Sequence, residues 1–204
     1  MYLVTRIQEP LAERSAITEQ LDKLAQEVRD ELAATVKGRI PTGSEQLTAV
    51  RNVLFSKHHF SGNEAQYAHP ANSSLTRVLE TKRGLPLTLS HVTIAVARRV
   101  GLQLHGVALP RRYLVWYEPP PGRAADEAIL DPYAGGQALS RDDLEDLLAG
   151  LGVGFDQMAD LKSATARETI GRALRNLSSH ADQVGRGDLA RDCRTYWGAL
   201  GLAE

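Results

Sequence analysis

NSSLTRVLETKRGLPLTLSHVTIAVARRVGL, residues 72–102, decides the fold because it holds one apolar helix and the loop that launches it. Gly84 can take backbone angles closed to other residues, and Pro86 suits the first position of a helix, where its missing N–H and fixed φ cost nothing. The triplet Gly84-Leu85-Pro86 therefore reads as loop, then helix start. From there Leu85, Leu89, Val92, Val96 and Val100 recur at steps of three and four, while Ile94, Ala95 and Ala97 fill much of the remaining circumference. A helix that is apolar nearly all round belongs inside a protein. Gly101 stands at the expected stop, after Arg98 and Arg99, which favour the negative end of the helix dipole.

Upstream, Ile17, Leu21, Leu24, Val28, Leu32 and Val36 keep helical spacing, with Ser15 as a candidate cap. GRIPTGS at 38–44 breaks that helix, and Leu47, Val50, Val53 and Leu54 predict a shorter one before the polar, histidine-containing stretch 56–74. Leu75, Val78 and Leu79 predict another short helix leading into TKRGLP. Beyond Gly101 the period changes. LQLHGVALP, RYLVWY and EAILDP are strand-like runs, with the proline-rich EPPPGRAAD as an exposed connection between the second and third. Ser140 with Asp143, and Thr165 with Glu168, are capping-box patterns opening later helices, and a Gly-rich turn at GRGD predicts an antiparallel helical pair at the C-terminal end.

Composition bounds the function. Apolar residues at 43% and charged residues at 24% are ordinary globular values, and 24 basic against 25 acidic residues give a formal net charge of -1. With no basic run, nucleic acid is not the expected partner. No apolar run approaches the roughly 18 residues of a spanning helix, and MYLVTRIQEP lacks a secretory pattern, so no membrane association and a cytoplasmic location are expected. The single cysteine, Cys193, excludes an intrachain disulfide and a Cys-rich zinc site, in keeping with a reducing compartment. No cofactor is implied.

The order of a buried helix after a Gly-containing loop, a strand with a basic residue, and a strand ending in aspartate carries a resemblance. NSSLTRVLETKRGLPLTLS, GVALPRRYLVWY and ILDPYAGG resemble the bacterial transglutaminase-like family whose core is followed by tetratricopeptide-like helices, with patterns close to NS-x-L-x-x-VL, RRGIPITLS, LPGHFLVR and IDPFNGG. The likeness covers roughly residues 53–136 well and the C-terminal helices more loosely. It implies an α+β fold: a transglutaminase-like, papain-like core with a buried helix on an antiparallel sheet, flanked by N- and C-terminal helices. The expected division is 1–150 for that domain with its N-terminal helices and 151–204 for a tetratricopeptide-like segment packed on it.

In active transglutaminase-like enzymes a cysteine begins the buried helix, where the helix dipole and an imidazole lower its pKa so that thiolate attacks a carbonyl. By the resemblance that place holds Pro86, the histidine's place holds Arg112, and only Asp131 stands where the orienting carboxylate belongs. The close family commonly has proline at the first position but retains the histidine, so Arg112 is a further departure. Proline has no nucleophile, and a guanidinium that never deprotonates is no general base near neutral pH. Thr88 and Ser90 carry hydroxyls one turn away, but helix hydroxyls usually bond a carbonyl one turn back. Cys193 sits at a core-like step between Leu189 and Trp197.

Other polar residues have blander uses. His58, His59, His69 and His91, with Glu64 and Asp131, lack the spacing of a metal site. Asn63, Asn72 and Ser73 suit bonds that hold a loop to the core. Arg112 and Asp131 face each other as a candidate bidentate ion pair. Either the pair satisfies an orphaned carboxylate, or Arg112 with Arg111 binds an anionic group or peptide terminus, or Arg112 points to solvent. Trp116, Tyr117 and Tyr133 are candidate cleft aromatics. The favoured reading is a non-catalytic protein that binds a protein or peptide through the former active-site cleft, with Arg111, Arg112, Asp131, Trp116 and Tyr133 as binding residues. The alternative is a cryptic hydrolase or acyl transferase using Ser/Thr or a bound metal in the same cleft, and a third reading is a purely structural partner in an assembly.

Overall fold

A helix that the sequence reading passed over comes first in the computed structural model, which describes residues 1–110, 112–119, 128–152, 154 and 164–201. This is α1 (Tyr2–Gln8). It is held by polar bonds as well as by packing: Thr5 Oγ1 accepts from the Leu75 amide at 2.9 Å, and the Ser74 hydroxyl donates to Glu9 at 2.5 Å.

Helix α2 (Arg14–Val36) buries the expected stripe of Ile17, Leu21, Leu24, Val28, Leu32 and Val36. Its cap is not Ser15, which lies inside the first turn; the N-cap is Glu13, which makes no side-chain cap bond. Helix α3 (Gly43–Arg51) starts at a Thr42–Glu45 capping box and runs on into a π-helical turn, Asn52–Lys57. The polar stretch that follows is not without structure. It pairs β1 (Ser61–Gly62) in parallel with β2 (Arg83–Gly84) and contains a 3-10 turn, Pro70–Ser73, before α4 (Leu75–Thr81).

Helix α5 (Pro86–Arg99) begins with Pro86 at its first position and ends before Gly101, whose φ is +82°. Gly84 is needed for a different reason from the one its sequence suggests. Its φ is not in the left-handed region; instead a Cβ there would meet Val78 at 2.9 Å and Leu89 at 3.3 Å. Leu89, Val92, Val96 and Ala97 of α5 enter the principal core with the α2 stripe, Val50 and Leu54, and with Val115, Tyr117 and Leu130 of the sheet. At about 25 cal/mol per Å² of apolar area removed from water, a cluster of this kind supplies the main drive to fold.

That sheet is antiparallel, with strands in chain order: β3 (His105–Leu109), β4 (Arg112–Tyr117), β5 (Ala128–Asp131) and β6 (Gln137–Leu139). Three strands were expected, and the fourth is too short and polar to read from sequence. Alternation along β4 assigns its faces. Tyr113, Val115 and Tyr117 turn to the helical core, whereas Leu114 and Trp116 join Val107, Leu109, Ile129, Leu144 and Leu148 on the side covered by α6 (Arg141–Gly150). The Ser140–Asp143 capping box opens α6 as its spacing predicts. Residues 120–127 of the proline-rich connection, and Arg111, lie outside the described residues.

Helix α7 (Ala166–Gln183), opened by the Thr165–Glu168 capping box, and α8 (Gly187–Ala199) run antiparallel, since Arg167 near the start of α7 donates to the Leu200 and Gly201 carbonyls beyond the end of α8. Their apolar faces close a second core with Val4, Leu87 and Tyr113. The architecture is α+β. No helix among the described residues is long and apolar enough to cross a membrane.

Candidate functional site

The start of α5 and the facing ends of β4 and β5 open onto one cleft. Tyr67, Pro86, Arg112 and Tyr133 line its core side, and Asp146, Leu147 and Gly150 of α6, with Leu151 just past its end, line the other, around a volume of about 690 Å³. Arg112 and Asp131 are on the sheet face that looks toward α6, because Asp131 shares parity with Ile129, the partner of Trp116.

The pair between them forms with a geometry set by the turn after β5. Asp131 is 4% exposed. Its Oδ1 accepts the Tyr133 amide at 2.9 Å and the Ala134 amide at 3.2 Å, which leaves Oδ2 for Arg112 Nη1 at 3.1 Å. The expected bidentate contact is thus a single bond, since one oxygen is already committed to the backbone. The Arg112 side chain is 38% exposed and faces the cleft. Its strand is pinned from behind by Arg172 of α7, whose guanidinium donates to the Leu109 and Arg112 carbonyls at 2.8 and 2.7 Å.

Tyr133 stands over Gly62, where a Cβ would come within 2.3 Å of the ring, and the Gly62 amide donates to the Tyr133 carbonyl at 2.9 Å. Tyr67 meets Tyr133 edge-on, with ring centroids 6.0 Å apart. The loop carrying Tyr67 is held by Asn72, as its composition suggested: Nδ2 donates to the Gln66 and Tyr67 carbonyls, and Oδ1 accepts from Asn63. Burial, and then the neighbouring Glu64 and Tyr67, push the Tyr133 hydroxyl up.

The remaining candidates disperse. Trp116 does not line the cleft; it packs with Ile129 under α6 and lies 6.2 Å from the His105 ring. Tyr117 is buried in the principal core. Ser90 bonds the Tyr113 carbonyl at 2.9 Å, across to β4 instead of one turn back, and Thr88 Oγ1 is buried with no partner. Cys193 is 1% exposed, and burial followed by the nearby Asp192 charge pushes its thiol up to about 11, away from the reactive thiolate form. His58 bonds Glu27 at 2.8 Å, His69 Nδ1 accepts the Ala71 amide at 3.2 Å, and His91 is packed against the Tyr113 ring. Among the described residues no group of three His, Cys, Asp or Glu side chains is placed to share a metal ion. Sequence reasoning missed Tyr67 and the α6 wall, for which an aromatic in a polar loop and an ordinary amphipathic helix gave no functional signal.

The transglutaminase-like superfamily matches residues 15–175. A UPF0162 protein of Xylella fastidiosa strain Temecula1 is 36% identical over 155 residues, which are 72% of this chain and 53% of that protein. A UPF0162 protein of Pseudomonas aeruginosa is 30% identical over 159 residues, 78% of this chain and 54% of that one. F-box only protein 21 of Mus musculus is 28% identical over 109 residues, 52% of this chain and 17% of its own length. The chain spans about half the length of the UPF0162 relatives it matches. No solved structure matches.

Proposed function

Because the chain belongs to the transglutaminase-like superfamily yet begins its central helix with Pro86, we propose that it is a non-catalytic member that binds a protein or peptide through the former active-site cleft. What supports this reading is an open cleft in which the positions that the resemblance assigns to catalysis carry groups unsuited to acyl transfer. Pro86 offers no nucleophile, and Arg112 is a permanent cation bonded to Asp131. What remains at the surface is recognition chemistry: two tyrosine rings, a partly exposed guanidinium, and the apolar Leu147 of α6 and Leu151 just past its end. The α7–α8 pair, read as a tetratricopeptide-like unit over 151–204, extends the surface next to the cleft, and Arg111 adjoins Arg112 in sequence as a further cation.

A random peptide library displayed on phage and panned on the immobilised protein tests the proposal. A common motif should enrich, and synthetic peptides carrying it should bind Tyr133→Ala and Arg112→Ala about tenfold more weakly, a loss of about 1.4 kcal/mol. Motif peptides that bind both variants as tightly as the parent would move the site elsewhere. Transfer of an amine onto a glutamine peptide by the unmodified protein would overturn the non-catalytic reading itself.

A further inference from the structure

Past Tyr67 and Pro86, on the side away from Arg112, lies a second trough of about 720 Å³ between the tip of the β3–β4 hairpin and one face of α7. Positions 172, 175, 176, 179 and 180 of α7 recur at helical spacing along it. Arg172 has committed two N–H groups to hairpin carbonyls but still contributes its charge. Arg175 has not. Its guanidinium lies over the Trp197 ring, 4.6 Å from the centroid, and donates to no acceptor among the described residues. A guanidinium resting on an indole ring is held in place while its fork of N–H groups stays open, an arrangement that suits a carboxylate.

The histidine supplies an independent pointer. His180 is 7% exposed, lines the trough, and its Nδ1 is shut away from solvent with no hydrogen-bond partner. Burial lowers its pKa, so the ring is neutral and carries a single N–H. With Nδ1 enclosed, Nε2 is the nitrogen left open to a ligand, and it donates when it carries the proton. The acid in the same trough, Glu168, has its carboxylate engaged by the Thr165 amide and hydroxyl, each at 2.8 Å. Arg172 and Arg175 together outweigh that single negative charge in the lining.

We propose that this trough binds the free C-terminal carboxylate of a peptide, with Arg175 as its fork and His180 as a second donor, the Arg172 charge adding to the attraction. The proposal rests on the peptide-binding reading of the cleft, with which the trough shares Tyr67 and Pro86: a peptide leaving the cleft past Tyr67 arrives here. Apolar Leu87, Ala108 and Leu109 beside the cations suit the side chain that precedes the carboxylate.

The test titrates the isotope-labelled full chain with N-acetyl-alanyl-leucine, its C-terminal amide, and inorganic phosphate, following backbone and arginine side-chain resonances by NMR. The acid should give saturable shifts centred on residues 171–180, and the amide should bind at least tenfold more weakly. Arg175→Gln, at an exposed position, should abolish the effect, and Arg175→Lys should restore it only in part, since the charge returns without the fork. Arg112→Ala should leave it unchanged. Binding that survives Arg175→Gln, equal binding of acid and amide, phosphate binding without the acid, or no saturation up to roughly 10 mM would each overturn the proposal. Loss of binding in Arg112→Ala instead would place the carboxylate in the cleft. Because the probe is too short to need the cleft, this outcome and that of the peptide library can differ, and each proposal can fail without the other.

Discussion

Replacing Arg112 and Asp131 singly and together should give a lopsided result. Removing Asp131 as alanine takes away the acceptor for two turn amides and the partner of Arg112, all at a residue 4% exposed. Breaking a buried pair from that side costs roughly 3–5 kcal/mol. Removing Arg112 is milder, because the carboxylate keeps both amide bonds and the guanidinium it loses was 38% exposed and partly screened by water. That change should cost about 1–2 kcal/mol, between the values for exposed and buried pairs. The coupling between the two should come to about 1 kcal/mol, near the upper end for an exposed pair, since only one charge-assisted bond joins them. Urea unfolding of the parent, Arg112→Ala, Asp131→Ala and the double variant closes the cycle. Asp131→Asn adds a control, as its amide oxygen can still serve the turn and should recover part of the loss. Equal costs for the two single changes, or no coupling, would refute the assignment of Oδ1 to the turn and Oδ2 to the arginine.

Gly62→Ala should destabilise by about 1–3 kcal/mol, as overpacking does, because the new methyl would meet the Tyr133 ring at 2.3 Å; thermal unfolding and loss of cleft-peptide binding measure it. Arg172→Ala should cost roughly 2–4 kcal/mol for two bonds from a charged donor, and hydrogen exchange should show faster opening at the hairpin whose carbonyls it holds. Burial, with a smaller push from the positive N-terminus, lowers His91 to about 4, so the native ring stays neutral while the unfolded one takes a proton below its ordinary 6.5. This contribution is complete above the unfolded pKa and is lost as pH falls through that window, at up to about 1.4 kcal/mol per pH unit. Unfolding free energies of the parent and His91→Gln between pH 7 and 4 should therefore converge as the solution becomes acid.

The elements that could be read from sequence were those with strong local signals. Pro86 and Gly101 bracket α5, and the boxes at Ser140 and Thr165 open α6 and α7, because caps and breakers act within a single turn of chain. Helix α1 went unseen because its stability comes from Thr5 and Glu9 meeting residues 74 and 75, and from Val4 in the second core; seven residues make a poor helix alone. At the cleft, the resemblance correctly paired Arg112 with Asp131, which alignment of two strands can do. It could not tell that Trp116, on the same strand face as Arg112, would be covered by α6, nor that Tyr67, from a loop, would stand beside Pro86. Those placements depend on contacts between elements far apart in sequence.

Synthesis on the ribosome gives α1 a history of its own. Val4 belongs to the same buried cluster as Leu189, Ala190 and Cys193, so α1 completes its packing only after α8, far later in the chain, has been made. Until then Val4 lacks the cover that the second core gives it, although Tyr2 can already pack on the principal core. The contact between α1 and α8 closes the chain on itself, and closing a long loop carries an entropic cost that the core must already have prepared for. The step that docks α1 should thus be late in folding and early in unfolding. Val4→Ala would then speed unfolding while leaving the folding rate almost untouched.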